Sequence, residues 1–222
     1  MSERLTLYSY WRSSAAYRVR IALNLKMLPY DQVPVHLVNN GGEQHDPGYH
    51  ELKPQELVPV LIDGRRVVRQ SMAIIEYLDE AYDGAIKLLP AMIRDRARVR
   101  ALAQLIGCDV HPLNNLRVMQ YLERELAVDA EQRQRWTQHW IREGLRAFEE
   151  MLAEHPSTGR YCEGDQPGLA DACLIPQVYN AHRFRVDLTP YPTIARIEQA
   201  CLALPAFDAA RPENQPDVPG TA

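Results

Sequence analysis

The chain has no Cys-x-x-Cys pair; its four cysteines, Cys108, Cys162, Cys173 and Cys201, lie far apart along 222 residues. That spacing argues against a disulfide scaffold, a zinc site and a dithiol redox pair. Seven histidines are scattered without metal-ligand spacing, and His45 and His50 beside Glu43, Asp46 and Glu51 make only a weak polar cluster, so no metal is expected. No apolar run approaches the length needed to cross a bilayer, and the start Met-Ser-Glu-Arg-Leu carries no apolar signal core. Positive charge is not in excess: 25 Lys and Arg against 29 Asp and Glu give a formal net charge of −4, with no general pull toward nucleic acid or anionic lipid. The densest basic stretch, Arg94, Arg96, Arg98 and Arg100, alternates with Asp95, Ala97 and Val99 and reads as a solvated helix surface. These absences lead us to expect a reducing, cytoplasmic setting with neither nucleic acid nor membrane as partner.

What the sequence does have is a 46% hydrophobic composition, enough for a substantial core, and two regions of different periodicity. Up to about Tyr82 short strands and helices alternate. Leu5 to Tyr10 reads as a strand, Ser13 to Lys26 as a helix, and Gln32 to Leu37 as a second strand that Pro34 confines to an edge. Val58–Ile62 and Arg66–Val68 flank Asp63-Gly64, a strong hairpin signal, and a helix follows with Ser71 as its N-cap. After Pro90 the pattern becomes long helical periodicity, with helices expected at 92–109, 113–127, 131–154, 170–183 and 193–202. Pro176 should kink the fourth of these or remove one of its hydrogen bonds, and the proline-rich tail from Arg211 reads as an irregular strap or a disordered end. The fold class is therefore α/β plus all-α: a thioredoxin-like domain over residues 1–84, followed by a helical bundle domain over 90–222.

The first strand delivers Arg12, Ser13 and Ser14 to a helix start, where free N–H groups and the positive end of the helix dipole favour an anion such as a thiolate. No cysteine of the chain lies there. The arrangement calls for a thiolate brought by a small molecule and hydrogen-bonded by the serines. Two further places suit a peptide ligand. Val58-Pro59 opens the third strand, where a cis proline would turn backbone groups outward for strand-like pairing, and Gln70-Ser71 stands at a second helix start, able to hold a carboxylate.

Together these places resemble the glutathione site of the glutathione transferase fold. Ser13-Ser14-x-x-Tyr17-Arg18-Val19-Arg20-Ile21-Ala22-Leu23 is similar to the signature of the zeta class, which contains the maleylacetoacetate isomerases and resembles bacterial maleylpyruvate isomerase. Gln70-Ser71-x-Ala73-Ile74-Ile75-Glu76-Tyr77-Leu78, the run Gly107 to Val118 and the run Val186 to Pro192 extend the likeness over nearly the whole chain. The resemblance implies glutathione as cofactor, with Ser13 stabilising its thiolate, Ser14 assisting, Val58 pairing with the cysteinyl backbone, and Gln70 and Ser71 holding the γ-glutamyl end. Gln44, His111, Asn115 and Arg117 match positions near the tripeptide or the substrate. It further implies a homodimer, and cis–trans isomerisation of a small acidic substrate with a cis double bond. Maleylacetoacetate and maleylpyruvate both satisfy that description; conjugation to electrophiles, oxygenation of α-halo acids, and a non-catalytic binding module are the other readings. A dianionic substrate needs cations, and Arg12 and Arg183 are the candidates. Arg18 and Arg20, inside the first helix, are expected to pair with acidic neighbours. The chain departs from the family pattern at Ala15, where many members carry cysteine, and at Gly168, where a Ser or Thr usually caps the helix containing Asp171.

Overall fold

Leu5, Leu7 and Ser9 alternate with Thr6 and Tyr8, and in the computed structural model, which describes residues 4–84 and 86–219, this segment is strand β1 (Leu5–Ser9) with the first set buried. Strand β2 (Tyr30–Pro34) pairs parallel to it, β3 (Val60–Asp63) pairs antiparallel on its other side, and β4 (Arg66–Arg69) closes the hairpin with β3. The sheet order is β2-β1-β3-β4. Pro34 ends edge strand β2 opposite Ser9, and Val35 rather than Pro34 donates to the Ser9 carbonyl at 2.8 Å, so the missing N–H falls on the open side. Pairing begins at Tyr30 opposite Leu5, which shifts this strand earlier than the expected 32–37. Register, not apolar patterning, sets the limits of a polar edge strand.

Helix α1 (Ser14–Leu25) is buried on nearly every side, Arg18 and Arg20 included. Short helix α2 (Pro47–Leu52), unforeseen in the sequence, is capped by Asp46, whose Oδ1 accepts from Gly48 N–H at 2.8 Å. Helix α3 (Ser71–Ala81) packs on α1 and buries Ile74, Ile75 and Leu78 completely. A second apolar cluster of Tyr10, Val35, Tyr49, Val58 and Val60 gathers Tyr8, Trp11, Leu37, Ile62 and Val67 around it.

The second compact unit, Leu89–Leu202, is all helical. Helix α4 (Ile93–Gln104) widens into a π-type turn at Leu105–Val110 and tightens into a 3-10 turn at His111–Asn114; where one helix is expected over 92–109, the winding changes because Pro112 cannot donate an N–H. Helices α5 (Leu116–Arg124), α6 (Ala130–Ala153), α7 (Leu169–Arg183) and α8 (Pro192–Leu202) follow. α7 is the core of this unit, almost wholly buried, and it runs unbroken through Pro176. The absent side chain of Gly168 is offset by Asp171, whose carboxylate reaches back to the N–H groups of Gly168 (2.8 Å) and Cys162 (2.9 Å). Glu149 of α6 caps α8 in the same way, accepting from Thr193 (2.8 Å) and Ile194 (2.9 Å). Arg98 is not the solvated side chain expected: it donates to the Cys162 carbonyl at 2.8 Å and Thr158 Oγ1 at 2.7 Å and pairs with Glu163, fastening the loop ahead of α7.

Where α6 crosses the π-type turn, a Cβ on Gly144 would stand 2.1 Å from Cγ2 of Val110. Gly144→Ala should therefore lower stability by about 2 kcal/mol despite a gain of roughly 1 kcal/mol in helix propensity. A urea midpoint at or above that of the parent protein would contradict this packing.

The tail does not join the helical unit, although the sequence pattern ran that domain through 90–222. From Ala203 onward the chain belongs with the unit that extends to Leu88. Helix α9 (Pro205–Asp208) packs on α1, and a 3-10 turn at Pro212–Asn214 follows, so the described part of the strap is ordered by contacts that no local pattern reveals.

Candidate functional site

The register places four chain segments at one end of the sheet. β1 ends at Ser9 opposite Pro34 of β2, Val60 at the start of β3 lies opposite Tyr8, and Arg69 at the end of β4 lies opposite Val60. The β1–α1 turn, the start of the β2–β3 connection, the Val58-Pro59 step and the α3 start therefore share that end.

Ser13 is the N-cap of α1, with φ −70° and ψ 120°, and its Oγ accepts from Ala16 N–H at 3.2 Å. Accepting through oxygen leaves the hydroxyl hydrogen able to donate to an anion. Ser14, buried, is the first helical residue. The turn before them is closed by Ser13 N–H to the Tyr10 carbonyl at 3.0 Å, and the Arg12 guanidinium carbon stands 5.2 Å from the Trp11 ring centroid, a cation–π contact. Val58-Pro59 is cis, as anticipated.

At the second helix start the cap is Gln70, at φ 70°, and not Ser71. Ser71 is the first helical residue, buried, and its Oγ accepts from Arg18 Nη1 at 3.2 Å. Arg18, in the second turn of α1, thus ties that helix to the start of α3. Gln70 Nε2 donates to Gln55 Oε1 at 2.6 Å. Arg20 hydrogen-bonds to carbonyls and a hydroxyl rather than to a carboxylate; burial pulls its guanidinium down to about 10, a fall that the nearby Asp217 charge opposes, and it is still cationic at neutral pH.

Gln44 lies in a 3-10 turn at Glu43–His45 and is buried. Its amide lies against Gly42, where a Cβ would meet Nε2 at 2.4 Å and φ is +109°, so only glycine suits that step. Gln44 Nε2 is 2.9 Å from His45 Nε2, while His45 and His50 both turn to Glu56, at 2.5 and 2.8 Å, so the hub of this polar cluster is Glu56 rather than the acids adjacent in sequence. Those two contacts hold the Glu56 carboxyl below its usual range.

In the second unit His111 opens the 3-10 turn, Asn115 caps α5 by accepting from Arg117 N–H at 3.1 Å, Arg117 is exposed, and Arg183 ends α7 with its guanidinium 4.9 Å from the Phe184 ring centroid. Asn115 therefore has a capping role that its place in the motif did not disclose.

The residues at the sheet end suit an anionic peptide thiol. Two helix starts offer N–H groups to anions, and Gln44 Oε1 is buried with no hydrogen-bond partner among the described residues, an acceptor waiting for a donor. The buried thiols of Cys162 and Cys201 are poor nucleophiles, because desolvation pushes both up.

A four-stranded mixed sheet with this cis proline and serine-led helix start defines a thioredoxin-fold, glutathione-binding class, and the family model described as "Glutathione S-transferase, N-terminal domain" matches residues 7–85. The chain is 54% identical to a probable maleylacetoacetate isomerase of Vibrio cholerae, over 96% of this chain and 98% of that one. A solved structure described as the holo form of maleylpyruvate isomerase, a bacterial zeta-class glutathione S-transferase, superposes with a TM-score of 0.92 at 48% identity, covering 96% of this chain and 99% of that one. A maleylacetoacetate isomerase of Methylobacterium extorquens AM1, solved with malonate and glutathione bound, gives a TM-score of 0.91 at 41% identity, covering 95% and 98%. The chain belongs to the zeta class of glutathione S-transferases, the maleylacetoacetate and maleylpyruvate isomerase family.

Proposed function

We propose that this chain is a glutathione-dependent cis–trans isomerase that converts maleylacetoacetate to fumarylacetoacetate in the breakdown of tyrosine and phenylalanine, acting in the cytoplasm as a homodimer. The observation that carries the reading is the Ser13-Ser14 pair at the start of α1, an anion site without a thiol of its own. No helix among the described residues is long and apolar enough to cross a membrane.

Glutathione, when bound, supplies a reversible sulfur nucleophile that frees the cis double bond to rotate. An ordinary thiol titrates near 8.5, and holding it two pH units lower takes about 2.7 kcal/mol of preference for the anion. Ser13 O–H, the first-turn N–H groups of α1 and the nearby Arg12 together can provide that. Val58 aligns the peptide backbone, Gln70 and Ser71 take the γ-glutamyl carboxylate and Gln44 receives a donor, while His111, Asn115 and Arg117 match the family's positions near the tripeptide or the substrate. Arg12 and Arg183 orient the substrate carboxylates and oppose negative charge developing on its carbonyl oxygen, so these residues act by placement and charge and transfer no proton.

Maleylpyruvate is the second reading, supported by the zeta-class isomerase structure at 48% identity. The deciding experiment is an isomerisation assay with both acids, with and without glutathione. Turnover of maleylacetoacetate that requires glutathione supports the proposal; turnover of maleylpyruvate alone selects the second reading, and turnover of neither removes both. In the same assay Arg183→Ala should raise KM for the acid about tenfold with kcat little changed, the loss of one charge-assisted carboxylate contact. An unaltered kcat/KM dismisses Arg183 from substrate binding.

A further inference from the structure

The strap after α9 reaches the turn that carries Arg12 and Ser13. Trp11 N–H donates to Asp217 Oδ2 at 2.8 Å, although 206 residues separate them. The other carboxylate oxygen of Asp217 accepts from Gln32 Nε2 at 3.3 Å, which fixes the carboxylate relative to the sheet. On the opposite side of the same residue, the Trp11 carbonyl accepts from Arg20 Nη2 at 3.0 Å, and the Tyr10 carbonyl accepts from Arg20 Nη1 at 3.4 Å. Arg20 Nε in turn donates to the Ala210 carbonyl at 3.0 Å, so one buried guanidinium joins the turn to the strap a second time.

We infer that the C-terminal strap is a working part of the site: Asp217 is a positioning residue that sets the Tyr10–Ser13 turn and, through it, Arg12 and Ser13. In a four-residue turn the central peptide, here Trp11 to Arg12, can flip between turn types at small cost unless its groups are held. Arg20 holds that peptide's carbonyl, and Asp217 holds the N–H of the preceding peptide. The two peptide planes flanking Trp11 are thereby fixed, along with the indole on which Arg12 rests, 5.2 Å from its guanidinium carbon. Ser13 follows directly, as the cap from which α1 starts. A carboxylate makes a stronger, shorter contact to an amide than a neutral acceptor does, which suits a group whose task is to keep a turn from relaxing.

The inference rests on the reading of Ser13 and Arg12 proposed above, and its test separates the two. Full-length Asp217→Ala, Asp217→Asn and Ser13→Ala are compared by kcat and KM against pH, glutathione affinity by calorimetry, and thermal midpoint. Asp217→Ala should lower kcat/KM about tenfold near neutrality and displace the acid limb of the profile upward, as the thiolate loses its well-placed donors. Asp217→Asn, whose amide oxygen can still accept from Trp11, should recover most of the loss. An Asp217→Ala protein with a lower thermal midpoint but an unmoved profile and unchanged glutathione affinity overturns the inference, leaving Asp217 a structural tie. If Ser13→Ala is impaired while Asp217→Ala is not, only the strap inference fails; if Ser13→Ala works like the parent, the site reading fails and the inference with it.

Discussion

Ser13→Ala is expected to lower kcat about a hundredfold at neutral pH, the size of effect seen when one preorganised donor to a developing or resident anion is removed. The sign of the pH dependence follows from the role. A donor to the thiolate stabilises the ionised form and holds the bound thiol below its free value, so losing the donor moves that ionisation upward. The mutant should therefore recover activity as pH rises, while the parent profile is already flat there. Ser13 is also the cap of α1, accepting from Ala16 N–H, and losing that bond costs about 1 kcal/mol on its own account. Ser13→Asp distinguishes the roles: an ionised aspartate caps well but only accepts and cannot donate. It should keep the parent's stability and lose at least as much turnover as alanine, with the profile displaced the same way. Full activity in the aspartate variant would reduce Ser13 to a cap.

The largest loss of stability is expected from Asp79→Ala. Lys26, at the end of α1, has a fully buried ammonium 3.2 Å from Asp79 Oδ1 on α3, and that same oxygen accepts from Leu88 N–H at 2.8 Å. Removing the carboxylate leaves a cation in the interior without its counter-charge, which costs about 3–5 kcal/mol. For a chain of this size that corresponds to a fall in Tm on the order of 10 °C. Replacing both partners, Lys26→Met with Asp79→Leu, removes the stranded charge as well and should be less damaging than Asp79→Ala alone. The pair lies away from the serine-led helix start, so folded Asp79→Ala protein at low temperature should show parent-like KM and kcat. A fall in Tm of less than a degree or two would mean that Lys26 finds another partner or water.

Much of the site was legible in the sequence because it is built from local signals. A serine pair ahead of a helical pattern, a Val-Pro step before a strand and a Gln-Ser step before another helix each announce backbone geometry within a few residues, and the register brings them to one end of the sheet. Less legible were bonds between distant segments. Arg18 and Arg20 look alike inside α1, yet one reaches Ser71 and the other reaches the Tyr10, Trp11 and Ala210 carbonyls. Ser71 reads as a cap, but Gln70 takes that place with a positive φ and frees the Ser71 hydroxyl to receive Arg18. His45 and His50 sit among sequence-adjacent acids and choose Glu56, which lies beyond α2.

By itself the sequence determined the main strands and helices, the serine-led helix start and the family, since periodicity, capping and motif spacing are properties of short stretches of chain. The tertiary structure alone decided that the last segment returns to the first unit and that Asp217 grips Trp11, because a hydrogen bond across 206 residues has no local signature and exists only once the sheet, α1 and the strap have packed.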